Sequence, residues 1–166
     1  MGLSAFCLRA RGLRFPILGL DCDARKIAIA RDAARAHGPD LRFTVHDARD
    51  QLPAHDGSVA LLDLLQYLDR GEQAALLRAA AERVNADGRL VVRSTLRAPG
   101  WRYRLSRAVD WFSAAVRWTL DAAVAYPTAD WVQEQLESAG LQGTIRPCWG
   151  RTPFNNWLGV FARSGR

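Results

Sequence analysis

Apolar residues along this chain gather in short runs that stop at acids, and stretches of helical spacing separate the runs. Ile17-Leu18-Gly19-Leu20 runs into Asp21, the segment from Leu41 to His46 runs into Asp47, and Val59-Ala60-Leu61-Leu62 runs into Asp63. These predict strands over 15–20, 42–46 and 58–63. The last is apolar at successive positions, as in a parallel-sheet strand buried on both faces. Helical spacing covers residues 3–11, 24–37 and 71–84. In the second, Ile27, Ile29, Ala30, Ala33 and Ala34 recur, and in the third Ala75, Leu76, Ala79, Ala80 and Val84 form the expected inner face. Gly38-Pro39-Asp40 ends one helix, and Asn85-Ala86-Asp87-Gly88 ends the next with Gly88 expected at positive φ. Residues 51–57 read as a polar loop and 89–94 as a further strand.

Strand and helix alternate with short connections up to this point, which implies right-handed crossovers and a parallel sheet. The remainder differs. A helix over 128–140 precedes strands over 144–147 and 158–163 with no helix between them, which predicts an antiparallel hairpin at the sheet edge. The whole reads as one α/β domain over 1–166. Within it, 100–124 stands apart as a helical insertion. Trp101, Leu105, Ala108, Val109, Phe112, Ala115, Val116 and Leu120 make one stripe, Arg102, Arg104, Arg107 and Arg117 fall largely off it, and Trp111 and Trp118 add apolar mass. The plain expectation is a helix packed on the sheet with a solvated arginine face. A lid or acceptor pocket is the second, and contact of 101–120 with a membrane surface or an acyl-carrier protein the third. The loop from Gly150 to Trp157 is a candidate border of the same pocket.

Composition narrows the class. With 166 residues, 49% hydrophobic and 24% charged, the chain is globular and has no apolar run approaching a membrane span. Arg9, Arg11 and Arg14 interrupt the start, which does not read as a secretory signal, so a cytoplasmic location is the default. The net charge is +6, from 23 basic residues of which Lys26 is the only lysine. That bias suits a GC-rich genome, and no nucleic-acid-binding motif accompanies it, so no nucleic-acid partner is expected. Cys7, Cys22 and Cys148 lack disulfide or metal spacing, and His37, His46 and His55 are irregularly placed, so no metal is expected.

Acids at the carboxyl ends of strands in an open α/β sheet face the small-molecule crevice. Each also has a structural reading: Asp21 or Asp23 as the cap of the helix near Ala24, Asp47 as a turn former, Asp63 as a cap. His46 and Tyr67 are candidates for chemistry that equally suit packing, as does Tyr103.

Five segments in order resemble the class I S-adenosylmethionine-dependent methyltransferases. They are Leu18-Gly19-Leu20-Asp21-Cys22-Asp23, His46-Asp47-Ala48, Asp63-Leu64-Leu65-Gln66-Tyr67-Leu68, the run from Asn85 to Val92, and Thr128-Ala129-Asp130-Trp131 leading to Ala139-Gly140-Leu141. The resemblance implies a Rossmann-like parallel sheet closed by an antiparallel hairpin, and S-adenosylmethionine as cofactor. It implies that Asp21, beside Cys22, holds ribose, that Asp47 and Ala48 border adenine, and that Asp63 borders the reacting centre. Gln66, Tyr67, Trp101 and Tyr103 would face the acceptor, with Tyr67, His46 and Tyr103 as catalytic candidates. Gln66 stands where many relatives carry His, and it cannot take a proton at neutral pH.

One family element is absent. The first strand and its Gly-rich loop would lie upstream of Met1, with Gly2 as the loop's last glycine, so the chain is expected to lack that strand and to begin inside the motif. Two neighbouring strands would then each lack a pairing partner. The expected function is methyl transfer to a small apolar, amphipathic or lipid-like acceptor. The alternatives are a catalytically inactive remnant or binding domain, and a nicotinamide-dependent Rossmann enzyme. The oligomeric state is not legible.

Overall fold

The computed structural model describes residues 2–115 and 125–164, with no side chain described from Ser113 to Ala115. The chain divides into two compact units, Met1–Asp50 and Gln51–Arg166.

In the first unit, helix α1 (Leu3–Ala10) leads to strand β1 (Ile17–Asp21), helix α2 (Ala24–Ala34) and strand β2 (Leu41–Val45). Strands β1 and β2 pair in parallel, Ile17 opposite Leu41 and Asp21 opposite Val45. A short 3-10 turn over Arg35–His37 extends α2 to the predicted stop, where Gly38 takes φ 84°. Ile27, Ala30 and Ala34 of α2 pack with Leu41, Phe43 and Ala5, and Phe6 and Ile17 lie against them. Arg9 is buried in this unit, with Nη1 donating to Leu13 O (2.7 Å) and Nη2 to Asp40 O (3.2 Å).

The second unit carries a four-stranded sheet of β3 (Val59–Leu62), β4 (Leu90–Thr95), β5 (Leu141–Pro147) and β6 (Asn156–Arg163), ordered β3-β4-β6-β5. Strands β3 and β4 are parallel, while β6 runs antiparallel to both β4 and β5, so the predicted hairpin is present and joins the sheet through β6. Among the described residues, β1 pairs only with β2 and β3 only with β4.

Helices α3 (Arg70–Glu82), α4 (Trp101–Ala115) and α5 (Ala129–Ser138) complete the unit. Asp69 and Glu72 cap α3 reciprocally, each side chain accepting the other's backbone N–H, at 2.8 and 2.7 Å. Thr128 caps α5.

Four expectations need correction. The buried face of α3 is Gln73, Leu76, Leu77, Ala80 and Ala81, turned away from the exposed Ala75, because the Gln73 amide is drawn inward to three carbonyls. Strand β3 is not buried on both faces: Leu61 is buried while Leu62 is 38% exposed, the alternation of a strand covered on one side. Gly88 has no positive φ. A side chain there would meet Gly57 O at 2.5 Å, so close backbone approach is what requires glycine. Helix α4 does not pack by its apolar stripe. Trp101, Leu105, Val109 and Phe112 are exposed, and the buried side holds Ser106 with Asp110 and Tyr103 half-buried. The rest of the expected stripe, Val116 and Leu120 with Arg117 and Trp118 beside it, lies outside the described residues.

Candidate functional site

Parallel pairing puts the carboxyl ends of β1 and β2 at one end of their two-stranded sheet, and His46 N–H donates to Asp21 O (3.0 Å). Asp21 and Asp47 therefore emerge side by side.

Asp21 does not cap α2. Its Oδ1 accepts the N–H of Asp23 (2.9 Å), which shapes the turn out of β1, and its Oδ2 takes no hydrogen bond among the described residues. Asp23 is the cap, accepting Arg25 N–H (2.9 Å) and the Arg25 guanidinium at 3.2 and 3.0 Å. The Arg25 side chain bonded to it holds the Asp23 carboxyl down at about 2. The division of labour leaves Asp21 as a half-exposed carboxylate with one oxygen anchored and one open.

Asp47 shows the turn-forming geometry. Its Oδ1 accepts Arg49 N–H (2.9 Å), and the Arg49 guanidinium reaches Oδ2 (3.1 Å). That backbone bond, aided by the Arg49 side chain and its charge, holds the Asp47 carboxyl below the ordinary carboxylate pKa range. Cys22 is exposed and Ala48 half-buried in the same two connections. His46 is half-buried, with its Nε2 shielded and without a partner among the described residues. Gly2 caps α1 at φ 67°, and a side chain there would meet the Phe43 ring at 2.6 Å. Positive φ and close packing both demand glycine at that point.

In the second unit the chain leaves β3 through Asp63, whose φ of 55° makes it the one described non-glycine residue in the left-handed region. Its N–H donates to Arg93 O (2.7 Å), and its Oδ2 meets Arg93 Nη1 at 2.6 Å. Partial burial raises the Asp63 carboxyl above its ordinary range against the pull of Arg93, and the charge of Asp110 adds to the rise.

A 3-10 turn over Leu65–Tyr67 follows. Gln66 is buried, its Oε1 accepting Ser94 Oγ–H (2.9 Å) and its Nε2 donating to Asp63 O (3.4 Å), so its amide is turned into the fold. Tyr67 is half-buried, and burial raises its phenol, with Asp110 adding to the effect.

Gln73 pins this turn from α3. Its Nε2 donates to Leu65 O (2.8 Å), Leu68 O (3.0 Å) and Ala125 O (2.9 Å), and so ties the turn after β3 to the segment that carries Tyr126.

Asp110 and Tyr126 were not singled out from the sequence, yet they form the centre of this group. Tyr126 O–H donates to Asp110 Oδ2 at 2.8 Å, and Tyr103 stands edge-on to Tyr126 with ring centroids 5.5 Å apart. Burial raises the Asp110 carboxyl although Tyr126 opposes it, and burial raises the Tyr126 phenol far above its usual range. The electrostatic reach of Asp110 to Asp63 and Tyr67 joins the four into one cluster at the carboxyl ends of β3 and β4. One signal was present: Ser106 and Asp110 lie four apart with Tyr103 beside them, a polar side opposite the apolar stripe. Trp101, on the other side of α4, is 58% exposed and apart from the cluster.

The first unit, by itself, offers a carboxylate with one oxygen anchored and one open among the described residues; the second, by itself, holds two half-buried carboxyls of raised proton affinity beside two phenols. Groups of that kind can hold hydroxyls, and carboxyls of raised proton affinity can accept protons.

Comparison with known proteins bears on the fold and the family. A family model described as a methyltransferase domain matches residues 1–88. No curated protein matches the chain. Among solved structures, the PH0226 protein of Pyrococcus horikoshii OT3 superposes with TM-score 0.69 at 15% identity, over 98% of this chain and 77% of that one. An O-methyltransferase family protein from Burkholderia thailandensis gives TM-score 0.69 at 24% identity, over 98% of this chain and 47% of that one. NcsB1, an O-methyltransferase from neocarzinostatin biosynthesis solved with S-adenosyl-L-homocysteine and 1,4-dihydroxy-2-naphthoic acid, gives 0.65 at 18% identity, over 98% and 46%. The chain thus spans less than half the length of these two O-methyltransferase structures, and at such identities the likeness is one of fold. With the family match covering residues 1–88, the chain belongs to the class I S-adenosylmethionine-dependent methyltransferase family.

Proposed function

We propose that this protein transfers a methyl group from S-adenosylmethionine to a small apolar or amphipathic acceptor. The observation that carries the reading is Asp21, whose Oδ1 is spent on the turn and whose Oδ2 is open. A carboxylate so held accepts hydrogen bonds from a vicinal diol, the feature a ribose presents. Cys22, Asp47 and Ala48 border the same end of the β1–β2 pair and would flank the adenine. Asp47 must then share or release the partly exposed Arg49. Gly2, at the start of α1, would let backbone approach the methionine end, and Asp63 would border the reacting centre.

The cofactor, when bound, supplies a methyl group already activated on a sulfonium. The protein's part is then to position the acceptor, to exclude water and to take the acceptor's proton. Asp110 suits the last task, since Tyr126 fixes its Oδ2 while its Oδ1 takes no hydrogen bond among the described residues. Tyr67 and Tyr103 would line the acceptor beside it. Gln66, bonded to Ser94 and the Asp63 carbonyl, would support the turn rather than touch the acceptor.

Release of S-adenosylhomocysteine, measured across a panel of phenols, enols and long-chain alcohols, tests the proposal. Acceptor-dependent release that falls about 10²-fold or more in Asp110→Asn, in line with the 10²–10⁴-fold typical of acid–base groups, would support it. Cofactor binding without release for any acceptor would favour the non-enzymatic binding domain.

A further inference from the structure

Helix α4 is mounted with its polar side inward. Ser106 is buried and its Oγ accepts the N–H of Asn155 (2.8 Å), Asp110 accepts the Tyr126 hydroxyl, and Tyr103 packs on Tyr126. The outward side carries Trp101 (58% exposed), Leu105 (36%), Val109 (38%) and Phe112 (61%), with Trp111 (73%) at its margin. A surface helix of a globular protein is normally turned the other way. Arg104 and Arg107 are exposed on one shoulder of the stripe. Arg102 lies on the other, stacked over Trp101 at 4.5 Å and near Trp149 at 5.4 Å.

We propose that this face of α4 seats the protein on an anionic lipid surface, with the rings entering the headgroup boundary and the arginines meeting lipid phosphates. Apolar rings between basic shoulders are the arrangement of helices that lie in a membrane interface. Charge complementarity favours this occupant over a second copy, for two such faces would bring Arg104 and Arg107 against their own kind, while the only acid of α4 points inward. Area agrees. Aromatic side chains present about 150–250 Å² each, so the three rings expose roughly 300–500 Å², against about 800 Å² per partner in a stable protein interface. No described helix is long and apolar enough to cross a membrane, so the contact is peripheral.

The test is co-sedimentation of the full chain with vesicles of phosphatidylcholine, with and without phosphatidylglycerol, alongside analytical ultracentrifugation. The expected result is a partition coefficient roughly tenfold higher on the anionic vesicles, reduced by salt as the Debye length shortens. Trp111→Ser/Phe112→Ser should abolish it with an unchanged melting temperature, since both positions are solvent-exposed, and Arg104→Glu/Arg107→Glu should remove the preference for anionic lipid. Absence of sedimentation, or equal partition to both vesicles, would overturn the proposal. So would a dimer that the aromatic variant dissociates, or an acidic carrier protein bound through the same residues in preference to lipid. Binding of S-adenosylhomocysteine is not needed for any of these readouts.

Discussion

Replacing Gln73 with Met keeps the length and volume of a fully buried side chain and removes its hydrogen-bonding amide. The Nε2 group has two hydrogens and serves three carbonyls at 2.8–3.0 Å, so one is shared. Leu65 O keeps a second donor, the N–H of Leu68 (3.1 Å), which leaves Leu68 O and Ala125 O as the groups that lose their amide partner. Two buried acceptors left short at about 1–2 kcal/mol each cost roughly 2–4 kcal/mol. Against this, the Oε1 of Gln73 is buried without a partner among the described residues, and its removal returns about 1 kcal/mol. The net loss is about 1–3 kcal/mol. With a urea m-value of about 1–3 kcal/mol/M, the midpoint should fall by roughly 1 M at unchanged m. Urea titration followed by far-UV circular dichroism reads this directly. A midpoint within about 0.2 M of wild type would refute the reasoning, because the amide would then not be what ties the turn after β3 to the Tyr126 segment.

Two further perturbations follow from single contacts. Gly88→Ala places a Cβ 2.5 Å from Gly57 O, where backbone must part; a loss of about 1–3 kcal/mol and a fall of several degrees in melting temperature is expected by calorimetry. Asp23→Asn keeps an acceptor for Arg25 N–H but loses the charge. The folded carboxyl titrates at about 2, below the usual unfolded value of about 3.9, so its contribution is complete above about pH 4 and is lost toward pH 2. Urea melts should show wild type more stable at pH 5 and the difference closing near pH 2; a difference independent of pH would contradict the assignment.

The sequence made the elements legible because each carries its own punctuation. Gly38 at positive φ ends α2 and its 3-10 extension, Thr128 caps α5, and the acids mark the ends of β1, β2 and β3. What it could not show depends on tertiary partners. Asp21 and Asp23 look equivalent as caps until Arg25 pairs with Asp23, and Gln73 looks like a surface residue until three carbonyls need its amide. Asp110 and Tyr126 are sixteen residues apart, and neither signals the other. Periodicity finds the apolar stripe of α4 but does not say which way it faces. Here the hydrogen bonds of Ser106 and Asp110 decide that.

The central claim is that this chain holds S-adenosylmethionine through Asp21, and calorimetric titration with S-adenosylhomocysteine tests it most directly. The account predicts saturable one-site binding that Asp21→Asn weakens roughly 30–100-fold. The amide oxygen keeps the Asp23 turn, but an NH2 that can only donate replaces the open Oδ2, so the two charge-assisted bonds accepted from the diol give way to neutral ones donated to it, a loss of about 2–2.7 kcal/mol in all. No binding by the folded chain, or equal binding by wild type and Asp21→Asn, would contradict it.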